Sequence, residues 1–331
     1  MGNKVIDLNS TTERNIRHPA EKLQEKLEEY LGTPFLQVED HVKEVIGRTS
    51  DPLKDFLFRL MYLYQNRVCS ILFFLAYYQQ CRERKVEVDT LRLAAALEVL
   101  HLAITAHEFA WGEGKNSNSE GAFELLGGDY LFGEALALAS DRPRIIKGMS
   151  EVVTRYVEAE FMTLPLKDIP ATRKKYLNRL SYREASLLTL SASVGCWRGG
   201  GSATQTRKIA YYAHYLGISR QIKRELQEFS WNDKKKLREN PAGLRVTLPL
   251  LYALETSWKG EELVKILESG CCTRKQRELL EKEIERSEYQ KHILKLLKKN
   301  QEKSLQSIED TRGGKEKDLL KDLATQEAFC D

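Results

Sequence analysis

Two glutamates in the sequence have both the residue type and the spacing to bind a divalent cation. Glu225 and Glu228 are three residues apart, so in a helix they lie one turn apart and can share a cation. Glu108 stands alone and cannot hold a cation firmly. His101 and His107 are six residues apart, which separates them on a helix and makes them a poor metal pair. Glu225 and Glu228 are therefore metal candidates, with an ordinary solvated helix face as the competing interpretation.

The charge balance and the cysteines exclude several classes of protein. The 331 residues carry 52 basic and 48 acidic side chains, which leaves a net charge of +4. This surplus is too small to steer a chain of this length onto nucleic acid, so no nucleic-acid partner is expected. The six cysteines form neither a CxxC pair nor a zinc-finger pattern, which predicts reduced thiols.

The elements that must position these side chains are predicted to be helices. Proline is scarce at 8 residues, and apolar residues recur at helical spacing between breaks that contain Pro or Gly. No segment alternates with the period of a strand over a convincing length. We predict an all-α protein with one large helical domain over residues 18–310, a polar segment at 1–17 and a short amphipathic tail at 311–331.

The sequence predicts neither export nor insertion into a membrane. Residues 1–10 lack the apolar core of a secretory signal. The apolar stretch at 71–78 is too short to span a bilayer, and the stretch at 91–111 contains Glu98, Glu108 and two histidines. We expect a cytoplasmic protein without a transmembrane segment.

Separated segments of the sequence resemble the trans-isoprenyl diphosphate synthases, or polyprenyl synthetase family, in matching order and spacing. The matching segments are residues 98–108 (ExxHxxxLxHDD in the family), 126–131 (LxGDYL), 158–160 (EGE), 183–187 (KTAxL), 216–222 (LGxxFQI) and 247–254 (TLPLIYAL). Each motif alone is weak, whereas their shared order is specific.

The resemblance implies the isoprenoid synthase bundle, a single all-α domain around a central apolar cavity. In that family two DDxxD motifs face each other across the mouth of the cavity and bind magnesium ions that hold an allylic diphosphate. Magnesium is therefore the cofactor expected if the protein is active, as a prenyltransferase. The resemblance also implies dimers, either a homodimer or a heterodimer with an intact prenyl diphosphate synthase subunit, and an isoprenyl diphosphate as candidate ligand.

Both DDxxD motifs are degenerate in this sequence. The first falls on residues 108–112, EFAWG, and the second on residues 224–228, RELQE. Three of the six aspartate positions keep a carboxylate, each as a glutamate, and Arg224 adds a positive charge. With fewer anionic ligands, the repulsion among three divalent cations is not compensated, so the family's magnesium cluster is not expected. The residual metal candidates are Glu108, Glu225 and Glu228.

The residues that bind diphosphate in the family are partly retained. The family's GKRxRP falls on residues 65–70 and keeps a single arginine, and residues 117–119 lack the two arginines expected after the first DDxxD. Loss of arginines removes both charge and bidentate geometry for a phosphate. The remaining diphosphate-binding candidates, by resemblance, are Arg67, His101, Arg183, Gln221 and Arg245.

This pattern predicts a polyprenyl-synthase-like protein of isoprenoid biosynthesis that is a non-catalytic or regulatory partner subunit of a prenyl diphosphate synthase. Packing segments such as residues 247–254 match the family, whereas the charged functional segments do not. Two alternatives stay open. One is an active, divergent prenyltransferase or class I terpene-synthase-like enzyme that uses the three glutamates. The other is a prenyl-lipid-binding module without chemistry.

Overall fold

Helices alone build the part of the chain that the computed structural model describes. The described residues are 19–64, 67–81, 85–110, 120–161, 173–228, 247–269 and 273–325. They form fifteen α-helices and contain no strand, which confirms the predicted all-α class. The predicted N-terminal segment at 1–17 lies outside the described residues.

The helix bounds follow local sequence signals. The helices are α1 Pro19–Leu31, α2 Thr33–Gly47, α3 Asp51–Leu63, α4 Val68–Gln80, α5 Val88–Ala110, α6 Glu120–Leu138, α7 Pro143–Phe161, α8 Arg173–Tyr182, α9 Glu184–Arg198, α10 Ala203–Glu228, α11 Leu248–Thr256, α12 Gly260–Glu268, α13 Arg274–Arg286, α14 Tyr289–Ser307 and α15 Lys315–Thr325. A proline occupies the first turn of α2, α3 and α11, where its missing N–H costs no hydrogen bond. Thr273 and Gln276 form a reciprocal capping box at the start of α13.

The centre of the bundle is formed by α4, α5 and α9. Every residue from Val68 to Gln79 in α4 is buried. Helix α5 buries residues on all its faces, as expected of a helix that is apolar all round. Its 23 residues are long and apolar enough to cross a membrane, but 67% of its most apolar window is buried inside the protein. Packing against α2, α4, α6 and α9 accounts for the apolar character of α5.

The buried apolar side chains form two clusters. The first core joins α1 to α7, α9, the first half of α10, and α15. The second core joins α8, the second half of α10, and α11 to α14. Helix α10 belongs to both, with Tyr212 in the first and Ile222 in the second. Leu319, Leu320 and Leu323 of α15, within the predicted C-terminal tail, are buried in the first core.

The close approach of α4 and α9 depends on Gly195. A Cβ atom at this position would lie 2.1 Å from the backbone carbonyl oxygen of Phe73. Since no side chain fits at that distance, glycine sets how closely the two helices pack. The approach also positions the start of α9, which follows Arg183 directly.

We expect Gly195→Ala to lower the free energy of unfolding by about 1–3 kcal/mol or more, because the added methyl group forces α4 and α9 apart. The matched control is Gly133→Ala on α6, where a Cβ atom would have no neighbour within 4 Å. The control should be neutral or stabilising by up to about 1 kcal/mol, since alanine is the better helix former. Urea denaturation of both variants measures the difference, and equal midpoints would contradict the packing argument.

Candidate functional site

Three of the charged residues selected from the sequence, Glu108, Arg183 and Glu225, lie where three helix ends meet, which we call the mouth. Glu108 is in the last turn of α5, and Glu225 is near the end of α10. Arg183 directly precedes α9. A carboxylate at a helix C-terminus faces the negative end of the helix dipole, so Glu108 needs nearby cations. Arg224 of α10 supplies one, because its Nη1 lies 3.7 Å from Glu108 Oε2.

Two arginines share the carboxylate of Glu108. Arg183 donates from Nη2 to Glu108 Oε1 at 2.7 Å, in addition to the contact from Arg224. Burial alone would raise the pKa of this carboxyl, since the Glu108 side chain is only 21% exposed. The charges of Arg224 and Arg183 outweigh burial and hold the pKa of Glu108 below its ordinary value. Glu108 is therefore an anion that the protein itself neutralises.

Arg183 bridges two carboxylates. Its Nε lies 2.9 Å from Glu160 Oε1, and its side chain is 9% exposed. Burial would lower the pKa of the guanidinium, but the charges of Glu108 and Glu160 raise it above its ordinary value. Glu160 belongs to the segment that resembles the family's EGE. We call Glu108, Glu160, Arg183 and Arg224 the Glu108 cluster.

Glu225 is held by a second set of contacts inside the protein. Arg179 donates from Nη2 to Glu225 Oε1 at 3.0 Å, and both side chains are at most 5% exposed. Gln221 donates to the same oxygen at 3.2 Å, and the hydroxyl of Tyr176 donates to Oε2. The backbone N–H of Leu248 donates to Oε2 at 3.4 Å. We call Tyr176, Arg179, Gln221 and Glu225 the Glu225 cluster.

A third buried ion pair lies beside these clusters. Arg220 Nε donates to Glu184 Oε1, and both side chains are at most 10% exposed. Burial raises the pKa of Glu184, whereas Arg220 and Arg224 lower it more, so the net pKa is below the ordinary value. Sequence reasoning did not select Tyr176, Arg179, Glu184 or Arg220. Their partners are 36 to 49 residues away in the chain, and no local spacing signals such pairs.

Arg67 lies in a separate acidic pocket. A cavity of about 390 Å³ is lined by this arginine together with Glu28, Glu39 and Glu98. Arg67 Nη2 lies 3.3 Å from Glu28, and Nη1 lies 3.0 Å from Glu39. The guanidinium also stacks 3.8 Å above the ring of Phe35. These contacts use the charge of Arg67 within the protein.

His101 faces a buried carboxylate on its own helix. Its Nδ1 lies 3.5 Å from Glu98 Oε1, and Ser70 donates from both N and Oγ to Glu98 Oε2, at 3.0 and 2.7 Å. His107 lies 3.2 Å from Asp129 on α6 and does not join His101. Arg245 and the side chain of Glu228 lie outside the described residues. Binding of metal or diphosphate by the eight candidates stays a prediction.

The donor set at the mouth does not fit the magnesium ions that the family resemblance implies. Within the described ranges, no group of three or more His, Cys, Asp or Glu side chains can hold a metal ion. A divalent cation at Glu108 would lie beside Arg183 and Arg224, and one at Glu225 would lie beside Arg179. The repulsion from these guanidinium groups opposes cation binding at both carboxylates.

Comparison with known proteins agrees with this fold. A model of the polyprenyl synthetase family matches residues 120–285, from α6 into α13. Heptaprenyl diphosphate synthase component 2 from Geobacillus stearothermophilus is 23% identical over 244 residues, covering 68% of this chain and 74% of that protein. The structure of a decaprenyl diphosphate synthase from Rhodobacter capsulatus matches with a TM-score of 0.78 at 18% identity, covering 91% of this chain and 97% of the other.

A third relative was crystallised with ligands. The structure of a polyprenyl synthase from Caulobacter crescentus, complexed with calcium and isoprenyl diphosphate, matches with a TM-score of 0.75 at 17% identity. It covers 93% of this chain and 98% of the other. The fold is that of the isoprenyl diphosphate synthases, as predicted from the sequence. The chain belongs to the polyprenyl synthetase family.

We expect Arg183→Met to lower the free energy of unfolding by on the order of 3 kcal/mol, because it leaves Glu108 and Glu160 close together without their shared cation. The matched control is Arg274→Met, which removes an arginine that is 93% exposed and pairs with Glu278. The control should change stability by no more than about 0.5 kcal/mol. Chemical denaturation at pH 7 compares the variants, and similar losses would show that Arg183 does not hold these carboxylates.

Stability should fall on acidification below about pH 4.5. Glu98, Glu108 and Glu184 are buried, which raises their pKa, but their partners hold each pKa below the ordinary 4.5. The unfolded chain therefore takes up protons at higher pH than the folded one, and the stabilisation is lost as pH falls through the folded values. Urea midpoints from pH 7 to 3 measure the slope. Glu108→Gln should have a shallower slope below pH 4.5, and an unchanged slope would contradict this assignment.

Proposed function

We propose that this protein is a non-catalytic partner subunit of a prenyl diphosphate synthase. The observation that carries the proposal is the contact between Arg224 and Glu108. In the family these positions belong to two motifs that hold magnesium and diphosphate between them. Here an ion pair between side chains of the same chain joins the two helix ends.

The charge arrangement argues against the family's reaction at this mouth. Release of pyrophosphate from an allylic substrate requires cations that neutralise the developing charge. The arginines of the Glu108 cluster lie against carboxylates, and the carboxylates of both clusters lie against arginines. Each group therefore has a partner before any substrate arrives, and a substrate would have to displace buried ion pairs.

A partner role is supported by the retained scaffold. The chain matches solved synthases over most of its length, whereas its residues 108–112 and 224–228 read EFAWG and RELQE at the positions of the two DDxxD motifs. One relative is named component 2 of a heptaprenyl diphosphate synthase, a name that describes one part of an enzyme with more than one component. We propose that this chain likewise assembles with an intact prenyl diphosphate synthase subunit, and that it does so in the cytoplasm.

The test is a synthase assay with magnesium, isopentenyl diphosphate and farnesyl diphosphate. The purified protein alone should release no pyrophosphate. After addition of a homologue from the same cell that has both DDxxD motifs, the two chains should co-elute on size exclusion. The rate or the product length should then differ from that of the homologue alone.

Two outcomes would overturn the partner role. Turnover by the protein alone that disappears in the Glu225→Gln, Glu228→Gln variant would identify an active enzyme. Absence of co-elution, combined with retention of a prenyl chain without magnesium, would identify a lipid-binding module. Arg274→Gln, at an exposed position that belongs to neither cluster, is the control for nonspecific loss of activity or assembly.

A further inference from the structure

A second pocket lies at the end of the bundle opposite the mouth. It has a volume of about 890 Å³ and is bordered by the start of α7, the end of α9 and the start of α10. Arg142, on its border, donates to Asp89 at the start of α5 at 2.9 Å. Glu108 lies near the other end of α5, about 30 Å away along the helix axis. The pocket is therefore separate from the mouth, and its volume is in the range of about 300–1,000 Å³ typical of small-molecule sites.

The floor of the pocket is apolar. Ile145 of α7 and Leu190, Val194 and Trp197 of α9 contribute to its lining. Trp197 is 50% exposed, although the residues before it on α9 are mostly buried. An exposed tryptophan beside aliphatic side chains offers a surface on which an apolar chain can lie.

Two arginines on the border have no anionic partner in the part of the chain that the structure describes. Arg144 and Arg207 both line the pocket and are exposed. Neither forms an ion pair or side-chain hydrogen bond with any other residue in the described ranges. Arg142, by contrast, is neutralised by Asp89 and Asp141 at 2.9 and 2.7 Å. The pocket thus combines an apolar floor with two guanidinium groups that are free to bind an anion.

We propose that this pocket binds a single-chain lipid phosphate. The chain lies along Leu190, Val194 and Trp197, and the phosphate is bound by Arg144 and Arg207. Guanidinium groups match phosphate oxygens with paired hydrogen bonds and stay charged at all relevant pH values. The site does not depend on the proposed partner role, because none of its residues belongs to the Glu108 or Glu225 cluster.

The test is calorimetric titration of the full chain with decyl phosphate below its micellar concentration. Decyltrimethylammonium, which has the same chain and the opposite charge, and inorganic phosphate, which has no chain, should both bind at least about tenfold more weakly. Decyl phosphate should change the tryptophan fluorescence by covering the exposed ring of Trp197, and this change should be lost in Trp197→Phe, which assigns the signal to this pocket.

The variant Arg144→Gln, Arg207→Gln should bind decyl phosphate at least about tenfold more weakly. Ala210→Trp, which fills the pocket from α10, should abolish binding. Arg155→Gln, at another exposed arginine of α7 that lies outside the pocket lining, should bind as the unmodified protein does. Circular dichroism checks that each variant is folded. Absence of binding to the unmodified protein, or equal affinity in the arginine variant and its control, would overturn the proposal.

Discussion

Charge neutrality inside the mouth is the constraint on which the rest of this structure depends. Among the residues that the structure describes, four carboxylates and four guanidinium groups meet there, largely out of contact with water: Glu108, Glu160, Glu184, Glu225, Arg179, Arg183, Arg220 and Arg224. A buried charge without a partner is strongly unfavourable, whereas paired charges cost little net free energy. The resemblance to the trans-isoprenyl diphosphate synthases implies that in those enzymes metal ions supply much of the positive charge at the mouth. In this chain arginine side chains supply it.

The ion pairs also join helices that belong to different parts of the fold. The Glu108 cluster joins the end of α5 to α7, the start of α9 and the end of α10. The Glu225 cluster joins α8, α10 and the first residue of α11. Since α5 packs in the first core and α8 and α11 in the second, the mouth lies where the two cores meet. The scaffold of a synthase is thus held at the mouth by contacts that need no ligand.

Helical periodicity and ordered motifs were sufficient to predict the fold, because both depend on short stretches of sequence. They also predicted that Glu108, Arg183 and Gln221 belong to one region, since the resemblance assigns all three to one site. The pairings could not be predicted. Arg179 is an ordinary surface residue by sequence, and it becomes a buried partner of Glu225 only because α8 packs against α10. Arg67 resembled a phosphate ligand, but Glu28 and Glu39 contact it in the folded chain.

The distribution of these ion pairs shows that the missing aspartates are not the only feature that opposes cation binding at the mouth. An aspartate at position 224 would remove one cation and add one anion, leaving Arg183 as the cation between Glu108 and Glu160. A divalent ion would then gain attraction at the first motif. Glu225 would still be held by Arg179, so the second motif would stay neutralised. Both the Glu108 cluster and the Glu225 cluster would therefore have to change before cations could bind on both sides of the mouth.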